Sequence, residues 1–282
     1  MKYICKSCGY KVEEDEKIMG YCPRCGRDSL VENNPLIKYS IVVPTLNCDT
    51  EVEKLLASMK KENIHKKRDV EVIFIDAASS DLTQEIIYKS NFAKKYVYYG
   101  VTKGFARLKG VYKAKGDIII NLDSDVEITK GWFDAVKRAT KYNNIVAGYS
   151  PHPKRGYIPR VPIWVKGQDV TWPFCNIAHK KSVFEDVGLI RDTELSEDID
   201  FNYRCIKKGY TIAYEPKMKV YHNHTQNKKE FIKQSFLYGR CRYQLKKRYP
   251  ELLQNQQSSI KNFFRLGFGG LGYIREMVMP SE

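Results

Sequence analysis

From residue 36 onward, short apolar runs alternate with amphipathic stretches. Residues 39–43 are a β-branched apolar run stopped by Pro44, and residues 70–75 are a second run closed by Asp76. Residues 96–99 and 117–122 supply a third and a fourth. Between them, residues 52–61, 82–89 and 105–114 place apolar side chains at helical spacing. This alternation predicts an α/β fold, a mainly parallel sheet with helices on both faces. Ligands in such folds sit beyond the carboxyl ends of the strands. Pro44, Thr45, Asp76 and the triplet Asp123-Ser124-Asp125 all fall there.

The second half is less regular. Residues 150–172 hold Pro151, Pro153, Pro159 and Pro162 and read as a long loop, a feature usually tied to function. Ser196 is placed to cap a helix over 197–208 that Gly209 ends. Residues 210–214 and 219–221 are short strand signals, and 230–248 is a basic helix. No internal repeat or low-complexity tract interrupts the chain.

Composition narrows the classes. The 282 residues accommodate one α/β domain with a small appendage, and the apolar and charged fractions (43% and 29%) exclude global disorder. A formal charge of +15 points to anionic partners or to a merely solvated lysine-rich surface. No apolar stretch approaches the roughly 20 residues of a spanning helix. The N-terminus lacks the apolar core of a signal peptide. A cytoplasmic location is therefore expected.

Cysteine placement marks the appendage. Cys5-x-x-Cys8 and Cys22-x-x-Cys25, each followed by glycine, have the spacing of metal knuckles. Four thiolates favour structural zinc, iron fits the same ligands, and a disulfide within each pair is the alternative. Residues 1–34 are too few to build a core without such a staple. The expected division is a zinc-ribbon or rubredoxin-like domain over 1–34, an α/β domain over 35–250, and a basic amphipathic tail over 251–282.

The triplet Asp123-Ser124-Asp125 carries the first chemical signal. Two carboxylates two positions apart at a strand end suit a hard divalent cation such as Mg²⁺, whose other ligands are water and substrate phosphate. Asp198-Ile199-Asp200 has the same spacing but opens a helix, where acidic residues are favoured by the helix dipole alone.

Four segments in order then match a known pattern: residues 41–47 (IVVPTLN); 75–81 (IDAASSD); Gly104 to Arg107 through Gly116-Asp117 to Asp125; and Glu197-Asp198-Ile199-Asp200 through Arg204 and Gly209 to His222. Over about residues 41–250 the chain resembles the family 2 glycosyltransferases, which have the nucleotide-sugar-binding GT-A fold. The resemblance implies that Pro44, Thr45 and Asp76 line the nucleoside pocket and that Lys103 and Arg107 fix the nucleotide. It implies that Asp123 faces the ribose or sugar, and that Asp125, with His222 in some relatives, binds Mn²⁺ or Mg²⁺ on the diphosphate. Asp198 would be the catalytic base, oriented by Glu197. Ala77, Ala78 and Leu108 depart from the family pattern. The Gln-x-x-Arg-Trp signature of processive synthases is missing, which favours transfer of a single sugar. The implied enzyme is an inverting, hexosyltransferase-type glycosyltransferase acting on a lipid-linked or glycan acceptor.

Two other expectations follow from the residues. Arg240, Arg242, Lys246, Lys247 and Arg248, interleaved with Tyr238, Tyr243 and Tyr249, suit contact with anionic membrane at the inner face, as does the tail. The knuckles suit a structural cap or docking to a protein partner. The different-class alternative is a zinc-ribbon nucleic-acid- or partner-binding protein with a non-catalytic nucleotide-sugar domain. Nucleic acid is disfavoured, because the basic residues are dispersed and no nucleic-acid motif is present.

Overall fold

The computed structural model describes residues 37–151, 162–193, 196–223 and 228–253, with residues 3–5, 7, 11–12, 23–25, 27 and 30–32 before them. β1 (Tyr3–Cys5), β2 (Lys11–Val12) and β3 (Leu30–Glu32) form a small antiparallel sheet in the order β2-β1-β3. Cys8 and Cys22 are not among the described residues, so the expected four-thiolate zinc or iron site lies outside them. The expected tail over 251–282 lies outside them from residue 254 onward.

The main body is an eight-stranded sheet. Its strands are β4 (Tyr39–Thr45), β5 (Val70–Asp76), β6 (Ala93–Val97), β7 (Ile118–Leu122), β8 (Val126–Ile128), β9 (Ile145–Tyr149), β12 (Asn176–Lys180) and β13 (Ile212–His222). A hairpin of β10 (Trp164–Val165) and β11 (Gln168–Asp169) stands apart from it. The strand order is β6-β5-β4-β7-β12-β9-β13-β8. The expected mainly parallel sheet is met by four of the seven strand pairings, β9 beside β13 among them. β6-β5-β4-β7 pair in parallel, but β12 enters antiparallel between β7 and β9, and β8 runs antiparallel to β13. The sheet is mixed.

Both faces are covered, as the apolar alternation requires. Ile41, Val43, Phe74 and Ile120 point to the face packed by Val52, Leu55 and Met59 of α1 (Asp49–Lys61), Ile87 of α2 (Thr83–Lys89) and Trp132 and Phe133 of α4 (Trp132–Tyr142). Val42, Ile73, Ile75 and Ile119 point the other way. They meet Ala106 and Val111 of α3 (Lys103–Lys113), Phe184 of α5 (Lys181–Val187) and Phe201 and Cys205 of α6 (Glu197–Lys207). Successive strand residues thus serve opposite cores. α3 lies close to the sheet because it carries Gly110, where an added Cβ would come within 2.1 Å of Val42 Cγ1. The basic stretch forms α7 (Lys228–Arg248), and no helix among the described residues is long and apolar enough to cross a membrane.

Candidate active site

The carboxyl ends of β4, β5 and β7 lie side by side and carry the residues singled out by the sequence. At the β4–β5 end, Thr45 Oγ1 donates to Asp76 Oδ2 at 3.0 Å. The Ser79 amide and hydroxyl donate to Asp76 Oδ1 and Oδ2 at 2.8 and 2.7 Å. Asp76 is fully buried. Its carboxylate therefore anchors the turn after β5 against β4, and Ala78 in that turn sits at φ 63°. Asn47 fixes the neighbouring loop by accepting from the Ser80 amide at 2.9 Å. Pro44 and Thr45 line the same edge and are buried.

β7 delivers Asp123 and Asp125. Asp123 accepts from Lys103 Nζ at 3.0 Å and from Arg107 Nη2. Thr102 caps α3 by accepting from the Phe105 amide at 3.0 Å, so both cations come from the first turns of that helix. Burial opposes the charge on Lys103, but the Asp123 carboxylate outweighs it and raises the lysine above its ordinary range. Burial likewise pushes Asp123 up, and Lys103 and Arg107 more than reverse it, so the carboxyl is held low and ionised.

Arg107 is 1% exposed and reaches across the site. Its Nε donates to Glu197 Oε1 at 3.2 Å and its Nη1 to Asn121 Oδ1 at 3.4 Å. Its guanidinium lies 5.4 Å from the Phe174 ring centroid. The arginine thus joins β7 to the first residue of α6, and the buried Glu197 and part-buried Asp123 carboxylates share its charge. An arginine at this depth needs such pairing.

Asp198, next on α6, is half-buried and accepts from the Ile199 amide at 2.8 Å. Burial and then the neighbouring Glu197 charge push its pKa up, against the pull of Arg107 and Lys103, to about 7. A carboxyl poised there can take a proton near neutrality. Asp200, two residues on, is 1% exposed and turns elsewhere. Its Oδ1 accepts from Arg191 at 2.8 Å, Tyr249 Oη at 2.9 Å and Arg248 at 3.2 Å, and its Oδ2 from Arg204 at 3.0 Å. Of the two Asp-x-Asp triplets, only the one at the strand end places both carboxylates in the site.

His222, at the end of β13, puts Nε2 3.1 Å from Asp125 Oδ1. Burial disfavours its charged form, but hydrogen bonds with Asp125 and Cys175 prevail and lift its pKa to about 11. Single donor atoms of Asp123, Asp125 and His222 lie within 4.8 Å of one another. Two carboxylates and an imidazole that gives up its proton as a cation enters are a donor set suited to Mn²⁺ or Mg²⁺. The approach of Asp125 and His222 follows from strand pairing, since β8 directly follows Asp125 and aligns Val126 with His222.

The site also contains residues that the sequence reading missed. Asn121, fully buried in β7, takes an Arg107 hydrogen bond; a polar residue inside the run 118–122 was the available signal. Cys175, at which no sequence signal pointed, adjoins His222. Asp192 accepts from Thr102 Oγ1, and the Thr193 carbonyl takes the Gly104 amide at 3.1 Å, so the chain before α6 rests on the start of α3. An added Cβ at Gly104 would lie 2.5 Å from the Arg191 carbonyl oxygen, which explains the glycine there.

Comparison with known proteins follows the same line. The pre-mycofactocin glycosyltransferase of Mycobacterium tuberculosis is 24% identical over 234 residues, which cover 75% of this chain and 48% of that protein. The chain thus spans about half the length of this relative. The glucosyl-3-phosphoglycerate synthase of Petrotoga mobilis is 32% identical over 100 residues, 32% of this chain and 30% of that one. Among solved structures, S. aureus TarS 1-349 in complex with UDP-GlcNAc has a TM-score of 0.64 at 16% identity, covering 86% of this chain and 73% of its own. The mannosyltransferase PcManGT from Pyrobaculum calidifontis, in complex with GDP-Man and Mn²⁺, has a TM-score of 0.61 at 14% identity, with 87% and 76% covered. Residues 40–164 match the family model described as glycosyl transferase family 2, and the fold is GT-A-like.

Proposed function

We propose that the chain transfers a single sugar from a nucleoside diphosphate sugar to an acceptor hydroxyl, with inversion at the anomeric carbon. One observation carries this reading. A three-donor cation set (Asp123, Asp125, His222) lies at the same sheet edge as the linked group Arg107, Glu197 and Asp198. Support also comes from the names of similar proteins, which are glycosyltransferases or carry UDP-GlcNAc or GDP-Man.

A divalent cation held by Asp125 and His222, with Asp123 adjoining, would offset the negative charge that develops on a departing diphosphate. Lys103 and Arg107 keep Asp123 ionised and in place, so its carboxylate is oriented before donor enters. Asp198, with its pKa near 7, takes the proton of the acceptor hydroxyl as the new bond to the anomeric carbon forms. Glu197 is tied to Arg107 and fixes the first turn of α6, and with it Asp198. Pro44 and Thr45 border the nucleoside side. Asp76 serves there through the turn it holds, because Thr45 and Ser79 already engage its carboxylate. The acceptor class that fits is a lipid-linked or glycan hydroxyl.

The test is thermal stabilisation by UDP-, GDP- and dTDP-sugars with and without Mn²⁺, since a ligand specific for the folded state raises its melting temperature. A shift with one nucleotide that needs Mn²⁺ and vanishes in Asp125→Ala is expected. No shift with any donor would overturn the reading.

A further inference from the structure

One long stretch of the chain is basic without an acidic residue to offset it. No Asp or Glu occurs between Glu85 and Asp117, a stretch containing eight lysines and arginines and seven aromatic residues. It builds β6, the edge strand of the sheet, and α3 beside it. Four of the eight cations are already matched: Lys89 to Glu85, Lys94 to Glu71 at 2.9 Å, and Lys103 and Arg107 to Asp123 in the site. Lys95, Lys109, Lys113 and Lys115 have no carboxylate within ion-pair distance among the described residues. Lysines on an edge strand guard against strand pairing, which accounts for Lys95 but not for the three on and after α3.

Those helix lysines lie among aromatic rings. Lys109 Nζ is 4.9 Å from the Phe105 centroid and 5.9 Å from those of Tyr98 and Tyr112, and Lys113 Nζ is 4.9 Å from that of Tyr96. Tyr112 is 64% and Tyr99 85% exposed. Ring bodies with polar tips, set among unneutralised ammonium groups, match the composition of a membrane–water interface. Rings covered by ammonium groups are poorly placed to stack on nucleobases. The patch also adjoins the site, because the Tyr98 amide donates to the Asp76 carbonyl at 2.9 Å and Lys103 opens α3.

We propose that the α3–β6 face seats on an anionic lipid surface. Lys109, Lys113 and Lys115 supply the charge, and Tyr99 and Tyr112 enter the headgroup layer. A molecule carried in that surface is thereby presented beside the cation set. This goes beyond the proposed transfer reaction and needs no catalytic activity to test, so either can fail alone.

The experiment is flotation of the full chain with phosphatidylcholine vesicles, with and without phosphatidylglycerol. Binding is expected only to the anionic vesicles, with release at high salt. Neutralising Lys109 and Lys113 together (Lys109→Gln, Lys113→Gln) should weaken partitioning about 25-fold, at about fivefold per lysine. Tyr99→Ser with Tyr112→Ser should weaken it further, with the melting temperature unchanged in each. Lys60→Gln with Lys61→Gln on α1 removes the same net charge elsewhere and should change partitioning little. Equal loss in both lysine pairs, or no flotation at all, overturns the proposal. So does release by inorganic phosphate at constant ionic strength, which would mark a phosphate site instead of a surface. Retention of duplex RNA through the same lysines without flotation would assign the face to nucleic acid.

Discussion

Replacing Arg107 by methionine tests how the two halves of the site are joined. The side chain is 1% exposed and neutralises Asp123 and Glu197, whose side chains are 13% and 5% exposed. Removing one partner of a buried ion pair costs about 3–5 kcal/mol, because the other charge stays buried without compensation. Asp123 retains Lys103, so Glu197 is the carboxylate left stranded, and the lower end, about 3 kcal/mol, is expected for Arg107→Met. Methionine preserves much of the apolar stem, which keeps the packing loss small. For a domain of this size the change corresponds to a fall of roughly 6–12 °C in Tm. Urea unfolding followed by the fluorescence of buried Trp132 gives the free energy, with the slope checked for constancy. Arg107→Met with Glu197→Gln should recover at least about 1 kcal/mol of the loss, since the stranded charge is then gone. A single-variant loss below about 1 kcal/mol, or strict additivity in the double variant, would refute the bridging role.

Three further outcomes follow from the same geometry. Asp198→Asn should lower turnover by roughly 10²–10⁴-fold while the donor-induced melting shift persists; near-normal turnover would remove Asp198 from the reaction. The pKa of Asp198, about 7 in the fold against about 3.9 in an unfolded chain, makes the folded state hold a proton that the unfolded state has released. Stability contributed at this site is therefore greatest below about pH 4, falls as pH rises to about 7, and is flat above. Tm measured across that range should show this slope in the parent and lose it in Asp198→Asn. Gly110→Ala should cost about 1–3 kcal/mol, because the new methyl group meets Val42 Cγ1 in a packed core, and equilibrium unfolding would register it.

The first half of the fold was legible because its strands are continuous apolar runs with polar closers. β4, β5 and β7 fall within a residue or two of the expected spans, and their closing residues Thr45, Asp76 and Asp123 form the site edge. The third strand was placed late: β6 is Ala93–Val97 where residues 96–99 were expected, since an edge strand carries lysines. β12 escaped notice because Asn176 and His179 interrupt its apolar pattern. Asn176 is buried through hydrogen bonds with Trp132 and the Met218 carbonyl, and His179 packs among Phe174, Phe184 and Phe201. α4 was not among the expected elements, although Trp132, Phe133, Ala135, Val136 and Thr140 have helical spacing. The role of Arg107 as a bridge was not readable, because its link to Glu197 spans 90 positions of sequence and depends on how α3 and α6 share one face.

The mixed order of the sheet has a consequence for synthesis of the chain. β4 to β7 can assemble from neighbours already made, but both flanking strands of β9 come later: β12 begins at Asn176 and β13 ends at His222. A nascent chain that has just released β9 therefore holds an apolar strand with no earlier partner, and β7 with one edge open. At about 5–20 residues per second, this interval lasts several seconds before His222 is made. During that time the open edge is a template for pairing with another chain. Slow stretches of translation between residues 149 and 222 would lengthen the exposure, and a chaperone bound there would shorten its effect.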